Sequence, residues 1–358
     1  MQSCPPQPAL VESSLKNQME NELEKPSRKR RPSAAQRTVS SSAKSKGATS
    51  AAAFLEIDSP KGDLSLKVPG GIVGISNLDK MFWPVEKFTK GDLISYYLRV
   101  SGVMIKYLKD RPAILARYPN GITQKGFFQQ NIDDAPALLH TERLENQVGR
   151  FLNYAVYTSV ASLIYLVNLG TISQNTWHSR LSDLDRPDYV VFDLDPYEAD
   201  FSTVLQVALT VNQVLIDLGL TGYPKTSGSK GVHVYVPVAR RYGYEEAARF
   251  AEQVAAKVAE RAPKIATVER RMNARKQGQV YVDWQQNARG KSAASIYSVR
   301  ARAGATVSTP VTWEEVSRGF EMTDFTIQTV PDRIEKKGDL WDGMLKRKQM
   351  LPKLPLEL

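Results

Sequence analysis

The sequence predicts an α/β or α+β protein built around a mixed β-sheet. From Val68 onward, short apolar runs typical of strands alternate with segments whose apolar residues recur at helical spacing. Few of these segments follow the strict strand–helix–strand order of a parallel sheet, which favours a mixed one. The part of the chain before residue 61 has a different composition and gives no such signal.

Residues 1–60 are expected to form a disordered basic tail. Between Lys25 and Ser50 the sequence is dominated by Ser, Ala, Pro, Lys and Arg, with a basic block at Arg28–Arg31. Such a composition offers too little apolar surface to offset the entropy lost on ordering. The tail either tethers the protein to DNA by its charge or is simply solvated.

The elements after the tail are expected in a definite order. Helices are predicted at 91–108 behind the cap Thr89, at 201–218 and at 245–261. Strands are predicted at 112–117, 162–169, 187–195, 222–227, 232–236 and 279–284, with Pro196 stopping the third of them.

Composition favours a nucleic-acid partner inside the cell. The formal net charge of +10 and the pI near 9.4 suit polyanions better than neutral metabolites. The single cysteine, Cys4, cannot form an internal disulfide, which indicates a reducing compartment. The most apolar stretch, 155–169, is shorter than the ~20 residues of a membrane span, and residues 1–15 lack the apolar centre of a secretory signal. A soluble cytoplasmic protein with no membrane partner is expected.

The clearest chemical signal is a set of three aspartates. Side chains alternate along a strand, so Asp193 and Asp195 would share one face while Phe192 and Leu194 face a core. Asp283 ends another predicted strand. Clustered carboxylates suit divalent metal ions that also hold substrate phosphates, the arrangement used for in-line phosphoryl transfer. The pattern therefore predicts a nucleotidyltransferase.

A glycine-rich turn lies between the two acidic strands. In the segment Thr226–Gly231 the glycines permit tight backbone turns that aim amides inward, and Ser227 and Lys230 can hold phosphate oxygens. By strand alternation His233 faces the same site. Taken alone, the turn could be a plain hairpin and the histidine a structural residue, but neither alternative explains their place between the acidic strands.

These segments together resemble the archaeo-eukaryotic primase superfamily. The closest likeness is to the polymerase domain of bacterial ligase D, from non-homologous end joining, and to its stand-alone primase-polymerase relatives, over about 68–340. The segments that carry it are YVVFDLD at 189–195, SGSKGVH at 227–233, VYVDWQQN at 280–287, SNLDK at 76–80, TKGD at 89–92, RYPNG at 117–121, KGFFQ at 125–129 and YSVR at 297–300.

The resemblance implies a primase-polymerase catalytic core with an RRM-like mixed sheet packed on an N-terminal α/β module. The domain would span 61–350. Its parts would be an N-terminal module at about 61–180, a catalytic module at about 181–310 and a C-terminal helical segment at about 311–358.

The resemblance also assigns roles to individual residues. Asp193, Asp195 and Asp283 would bind two divalent ions, Mn²⁺ or Mg²⁺, in a site that takes ribo- or deoxyribonucleoside triphosphates. The triphosphate would be contacted by Ser227, Gly228, Lys230, His233, Lys276 and Arg300. DNA would be bound by Lys80 and Lys90, which would grip a downstream 5′-phosphate, by Phe127 and Phe128, which would stack on template bases, and by Gln286. Without that resemblance the lysines would be interpreted as solvated charges and the phenylalanines as a core pair.

Two departures from the family pattern stand out. Where end-joining polymerases are expected to carry Glu, His and Pro before a tryptophan, this chain reads SQNTW at 173–177, so Asn175 replaces a histidine and neighbouring His178 need not substitute for it. The sequence also ends at Leu358 without room for a ligase domain. This favours a stand-alone bacterial enzyme working with a separate DNA ligase and possibly an end-binding protein.

The expected function is DNA-dependent nucleotide addition. The enzyme would fill short gaps or broken ends during DNA repair, preferring ribonucleotides, by attack of a primer 3′-hydroxyl on the α-phosphate. A primase that starts new strands is an alternative within the same class. An inactive RRM-like nucleic-acid-binding protein is an alternative from another class, and a set of three carboxylates disfavours it because acid repels phosphate unless a metal intervenes.

Overall fold

The computed structural model describes residues 47–356 of the chain, and within them the chain forms seven α-helices and eighteen β-strands. The helices are α1 (Ala51–Leu55), α2 (Lys90–Leu108), α3 (Val160–Asn168), α4 (Phe201–Asp217), α5 (Tyr244–Arg261), α6 (Trp313–Arg318) and α7 (Thr329–Lys337). The strands are β1 (Thr49–Ser50), β2 (Leu64–Val68), β3 (Gly71–Ile75), β4 (Met81–Trp83), β5 (Phe88–Thr89), β6 (Ala113–Arg117), β7 (Phe127–Gln129), β8 (His140–Glu145), β9 (Phe151–Val156), β10 (Thr171–Trp177), β11 (Tyr189–Tyr197), β12 (Tyr223–Thr226), β13 (Val232–Pro237), β14 (Ala266–Thr267), β15 (Gln279–Asp283), β16 (Ser292–Ala294), β17 (Ser298–Val299) and β18 (Val307–Ser308).

The first folded segment lies inside the stretch predicted to be a tail. Strand β1 pairs in parallel with β2, and Ser50 begins α1 by accepting a hydrogen bond from the amide of Ala53 at 3.1 Å. Phe54 is fully buried. The prediction of a disordered tail up to residue 60 was therefore wrong for β1 and α1, because one buried ring and a strand pairing offset the cost of ordering them. Residues 1–46 lie outside the described part of the chain.

Helix α2 confirms the prediction for 91–108, and it begins with the predicted cap. The Thr89 hydroxyl accepts from the amide of Asp92 at 3.2 Å, and the Asp92 carboxylate accepts from the amide of Thr89 at 2.7 Å. These reciprocal bonds satisfy two of the donors that a helix leaves free at its start. The predicted helices at 201–218 and 245–261 are likewise confirmed as α4 and α5.

The segment 162–169 was predicted to be a strand and is instead part of helix α3. Ser159 accepts a hydrogen bond from the amide of Ser162 at 3.4 Å, while the Ser162 hydroxyl accepts from the amide of Ser159 at 3.1 Å, so the two serines form a capping box. Most of the helix is buried between α2 and β3. A short helix that is apolar on all sides has the same pattern as a buried strand, which is why the interpretation failed.

The N-terminal sheet has the order β16-β10-β6-β7 and is antiparallel throughout. Strand β6 confirms the prediction at 112–117. Strand β16 lies within the range predicted for the catalytic module, 181–310, yet it pairs with β10 of the N-terminal module. The two modules therefore share a sheet, and one continuous apolar core runs through both.

The catalytic sheet has the order β12-β13-β11-β15-β14. With α4 after β11 and α5 after β13, the chain follows the split β-α-β-β-α-β arrangement of ferredoxin-like and RRM-like folds. Both helices pack on the face that carries Phe192, Leu194, Val234 and Val282, all fully buried. The opposite face is left for the polar residues. The RRM-like fold expected from the sequence is thus confirmed.

Strand β11 continues through Pro196, which was predicted to end it. Pro196 lies opposite Val280 of β15, and the strand runs on to Tyr197. The amide of Gly278 donates to the carbonyl of Tyr197 at 3.1 Å, so the backbone polar groups of Tyr197 point toward β15. Those of its neighbour Pro196 point toward the opposite edge of β11. On that edge the pairing of β11 with β13 stops at Leu194, which lies opposite Val232. The missing N–H of proline therefore costs no ladder hydrogen bond at this position.

The C-terminal segment carries α6 and α7, as the predicted helical segment requires, and α7 packs against α2. None of the helices within 47–356 combines the length and apolar character that crossing a bilayer requires.

Replacing Phe54 by alanine tests whether α1 is an integral part of the fold. We expect Phe54→Ala to lower the free energy of unfolding by about 3–5 kcal/mol, because it empties a site that is fully buried. The adjacent Leu55 is 37 % exposed, and Leu55→Ala should change stability by no more than about 0.5 kcal/mol. Chemical denaturation of both variants makes the comparison, and equal effects would show that α1 does not anchor the chain.

Candidate active site

Four adjacent strands place a row of polar side chains on the open face of the catalytic sheet. Lys225 of β12 lies opposite His233 of β13, His233 opposite Asp193 of β11, and Asp193 opposite Asp283 of β15. Directly opposed residues of antiparallel strands share a face, with their Cβ atoms about 4.5–5.5 Å apart. Asp195 lies two residues beyond Asp193 and so joins the same face. Strand register therefore brings together the three predicted carboxylates and the predicted histidine.

Neighbouring donors orient the carboxylate of Asp283. Its Oδ1 accepts from the amide of Gln285 at 2.8 Å and from the Tyr281 hydroxyl at 3.3 Å, and its Oδ2 accepts from Nε2 of Gln286 at 3.3 Å. Gln286, predicted to bind DNA, is buried, and the structure places it against this carboxylate. The two carboxylates of β11 differ in burial: Asp193 is 7 % exposed and Asp195 is half-buried.

His233 is buried between a carboxylate and a lysine. Its Nε2 lies 3.2 Å from Oδ1 of Asp193, and its Nδ1 lies 3.0 Å from Nζ of Lys225. Burial, followed by the charge of Lys225, lowers the pKa of His233 to about 4, so the imidazole is neutral near pH 7. Burial also holds the pKa of Lys225 well below its usual range.

The donor set fits a divalent metal site. Within residues 47–356, no three side chains of His, Cys, Asp or Glu already surround a point where a metal ion could sit. Asp193, Asp195 and Asp283 nevertheless present carboxylate oxygens from one face, and such oxygens are the ligands that Mg²⁺ and Mn²⁺ prefer. The chemistry and register fit these ions, while the side-chain rotamers would have to converge for one to bind.

The glycine-rich turn is closed by its own serine. Oγ of Ser227 accepts from the amides of Ser229 at 3.1 Å and Gly231 at 3.0 Å. Gly228 has φ +68°, and a Cβ there would lie 2.7 Å from the amide nitrogen of Ser308, so only glycine fits. Lys230 is exposed at the tip. These bonds hold the turn in one conformation and leave the exposed ammonium of Lys230 available for phosphate oxygens.

Arg300 contacts this turn, whereas Lys276 lies in the connection that leads into β15. Nη1 of Arg300 donates to the carbonyl of Ser227 at 2.7 Å. The Thr306 hydroxyl donates to the following carbonyl of the turn, that of Gly228, at 2.6 Å. Lys276 is exposed in the connection before β15. That connection enters β15 at Gln279, which lies opposite Tyr197 of β11. Tyr197 is four residues from Asp193, a separation of about 13 Å along the strand.

The two lysines predicted to grip a 5′-phosphate lie side by side. The amide of Lys90 donates to the carbonyl of Lys80 at 2.8 Å, and Nζ of Lys80 donates to Oδ1 of Asn120 at 2.6 Å. Lys90 is buried, and its Nζ donates to the carbonyl of Ser76 at 2.6 Å. Burial, followed by the charge of Lys80, lowers the pKa of Lys90 to about 8. A buried ammonium beside a second one is not a solvated surface charge.

The phenylalanine pair divides into two environments. Phe127 is 44 % exposed, and the guanidinium of Arg117 lies 5.4 Å from its ring centroid. Phe128 is half-buried and packs against both apolar clusters of the protein. Phe127 is therefore available for stacking, whereas Phe128 also contributes to the core.

Asn175, which replaces the expected family histidine, lies on β10. It is half-buried, and its Nδ2 donates to the carbonyls of Ile114 at 3.3 Å and Ser173 at 3.4 Å. His178 is buried against Tyr189 at a ring separation of 5.3 Å, and burial lowers its pKa to about 3. His178 is therefore an uncharged residue of the interior.

Lys225 is the residue that sequence reasoning missed. Alternation along the predicted strand 222–227 places it on the same face as Ser227, and this was the available signal. A lysine in a short strand ordinarily indicates an exposed position. Only the register with β13 shows it buried against His233.

Comparison with known proteins identifies the family of the chain. The family described as the LigD primase-polymerase domain matches residues 89–341. The multifunctional non-homologous end joining protein LigD of Mycolicibacterium smegmatis is 32% identical over 272 residues, covering 75% of this chain and 35% of that protein. The bifunctional non-homologous end joining protein LigD of Bacillus subtilis is 33% identical over 266 residues, covering 74% and 42%.

A solved structure shares the fold. The polymerase domain from Mycobacterium tuberculosis ligase D in complex with DNA superimposes with a TM-score of 0.72 at 30% identity, covering 77% of this chain and 99% of that one. The chain spans less than half the length of the two full-length LigD relatives above. The strands that carry the aspartates and the glycine-rich turn lie within the matched residues. These matches show that the chain belongs to the family of the LigD primase-polymerase domain.

Proposed function

We propose that this protein is a DNA-dependent nucleotidyltransferase that adds nucleotides to a primer 3′-hydroxyl at short gaps or broken DNA ends. One observation carries the proposal: strand register places Asp193, Asp195 and Asp283 on one face, beside a rigid turn suited to phosphate. Membership of the LigD primase-polymerase family supports it. The related mycobacterial polymerase domain was solved in complex with DNA, which supports DNA as the template.

In the proposed reaction the 3′-hydroxyl attacks the α-phosphorus and pyrophosphate leaves. Asp193, Asp195 and Asp283 would hold two Mn²⁺ or Mg²⁺ ions, which when bound supply positive charge that activates the hydroxyl and stabilises the leaving group. Lys230 and Arg300 would bring positive charge to the triphosphate, beside a turn that the Ser227 hydroxyl holds in place through the amides of Ser229 and Gly231. His233 presents a neutral ring, so it offers a hydrogen bond without adding charge.

The proposed substrate is broken or gapped DNA whose downstream end carries a 5′-phosphate. The paired lysines Lys80 and Lys90 support a phosphate site, and exposed Phe127 supports contact with template bases. The LigD relatives are named for non-homologous end joining, which supports a role in DNA repair. Filling a gap leaves a nick, so a DNA ligase would complete the repair. Ribonucleotide preference belongs to the same proposal.

Primer extension distinguishes this function from its alternatives. Matched gapped, nicked, 3′-overhang and unprimed templates would be compared with both nucleotide types and both metals. Metal-dependent addition that is strongest on 5′-phosphorylated gaps is the expected result. Synthesis on unprimed templates would indicate a primase, and DNA binding with no nucleotide addition under any condition would indicate an inactive RRM-like binding protein.

Removing any one of the three carboxylates should abolish nucleotide addition. In Asp193→Ala, Asp195→Ala or Asp283→Ala the shared metal site loses a ligand, and we expect activity to fall by at least about a hundredfold. The melting temperature should stay near that of the wild type. Asp200→Ala serves as the control, because Asp200 is exposed and makes no capping hydrogen bond at the start of α4. A triple variant that still extends primers would end the proposal.

Recognition of the 5′-phosphate should weaken as pH rises through about 8. Burial lowers the pKa of Lys90 to about 8, so the ammonium that attracts phosphate is present below this pH and is lost above it. We expect the affinity advantage of 5′-phosphorylated over unphosphorylated gapped DNA to shrink between pH 7 and pH 9.5.

Lys90→Met supplies the control for this pH dependence. It should remove most of the phosphate advantage at pH 7 and leave the remainder insensitive to pH. Affinities would be measured by fluorescence anisotropy at fixed ionic strength. An advantage that is unchanged in Lys90→Met would show that Lys90 is not the phosphate contact.

The two phenylalanines should respond differently to truncation. Phe127→Ala should weaken binding to gapped DNA roughly 5- to 150-fold with little change in melting temperature, because stacking of a base on an aromatic ring contributes about 1–3 kcal/mol. Phe128→Ala should lower the melting temperature as well, since its ring packs against the core. Thermal unfolding and DNA affinity of both variants test this, and a destabilised Phe127→Ala protein with unaltered affinity would remove Phe127 from the DNA-binding surface.

A further inference from the structure

Lys225 is a fully buried lysine for which the proposed reaction has no use. Its Nζ lies 3.0 Å from Nδ1 of His233, donates to Oγ of Ser308, and lies 5.5 Å from the ring centroid of Tyr235. Two of these neighbours are hydrogen-bond partners of the amine, and the third is an aromatic ring within cation–π range. The side chain is therefore fully engaged.

Burying a lysine here carries an energetic penalty. Desolvation disfavours the charged amine, and an apolar side chain of similar length would avoid that cost among such neighbours. A buried polar network whose hydrogen bonds are satisfied fixes one arrangement of its members, and this is the gain that the desolvation penalty is set against. The member that Lys225 can fix is His233, because that ring is the next residue in the row toward the carboxylates.

The direction of the hydrogen bonds follows from the carboxylate end of the row. An ionised Asp193 can only accept, so Nε2 of His233, 3.2 Å from its Oδ1, must carry a hydrogen. A ring that bears its hydrogen on Nε2 accepts at Nδ1, and the amine of Lys225 has hydrogens for both of its polar neighbours, Nδ1 and Oγ of Ser308. Lys225 must then be the donor in the 3.0 Å contact.

The other side of Lys225 gives the same direction. The hydroxyl of Ser308 donates its hydrogen to the carbonyl of Thr226 at 2.8 Å, so its oxygen is free to accept from Nζ of Lys225. Both polar contacts of the amine are consistent with Lys225 as donor. The series of donors runs from Lys225 through His233 to Asp193.

We propose that Lys225 is a positioning residue that holds His233 in the tautomer with hydrogen on Nε2, presenting that N–H to Asp193 and the incoming triphosphate. This rests on the proposed function, in which His233 contacts the triphosphate. Without the donor at Nδ1, the ring is free to carry its hydrogen on Nδ1 or to flip. It would then present a lone pair to negatively charged oxygens.

Lys225→Met tests the proposal, because methionine is unbranched, apolar and adaptable in a buried site. The chain has three histidines, so ¹⁵N-histidine labelling gives a spectrum in which His233 can be assigned with a His233→Asn variant. In wild-type protein without metal or nucleotide, we expect the neutral Nε2–H tautomer at His233. In Lys225→Met we expect the Nδ1–H tautomer or a mixture.

Kinetics supply a second readout. Lys225→Met should raise the KM for nucleotide roughly tenfold or more while lowering kcat by less, since a hydrogen bond to a charged group is lost from binding. The double variant with His233→Asn should be no worse than His233→Asn alone, because Lys225 acts through that ring. Tyr157→Phe is the matched control: it removes another buried hydrogen bond, to Oε1 of Gln174 at 2.6 Å, and should leave both KM and tautomer unchanged.

Three results would overturn the proposal. A wild-type spectrum with an imidazolium or an Nδ1–H ring at His233 contradicts the donor direction, and it needs no variant to fold. An unchanged tautomer in folded Lys225→Met shows that other contacts hold the ring. Additive effects in the double variant show that Lys225 acts elsewhere. If the wild type added no nucleotides, the proposed function would fail, while the spectra would still decide whether Lys225 controls His233.

Discussion

The antiparallel register of β11 between β13 and β15 is the constraint on which the site depends. It places Asp193 directly between His233 and Asp283, and a shift of one residue would turn the whole set toward the core. That register is specified from the other side of the sheet, where Phe192, Leu194, Val234 and Val282 are fully buried under α4 and α5. The apolar face and the polar face are thus two consequences of one alternating pattern.

Charge is concentrated in the interior near each place where phosphate would bind. Lys225 is buried behind the proposed nucleotide site, and Lys90 lies beside Lys80 at the proposed 5′-phosphate site. Burial disfavours the charged form of each amine and so lowers the pKa of both lysines. Their neighbours hold them in place before any ligand arrives. Lys90, held by the carbonyl of Ser76, would lose little freedom on binding a phosphate, so more of the electrostatic attraction would contribute to affinity.

The elements with a clear local signal were predicted well. Helix α2 has its cap at Thr89, and α4 and α5 have long amphipathic patterns, so periodicity was sufficient. The predictions that failed concern short elements or elements whose structure depends on tertiary contacts. Helix α3 is apolar on every side, Pro196 is tolerated because β13 has already ended, and α1 is ordered by the burial of Phe54. In each case the deciding interaction comes from a neighbour that is distant in sequence.

For the site, the sequence alone named the residues that the structure brings together: three aspartates on two strands, a glycine-rich turn and a histidine. Period-two alternation and turn chemistry are local properties, so these residues could be named without coordinates. Tertiary structure alone decided that Gln286 supports Asp283, that Phe127 is exposed while Phe128 is half-buried, and that Lys225 lies buried against His233. These facts depend on cross-strand register and packing between distant segments, because burial and hydrogen-bond partners are properties of the folded chain.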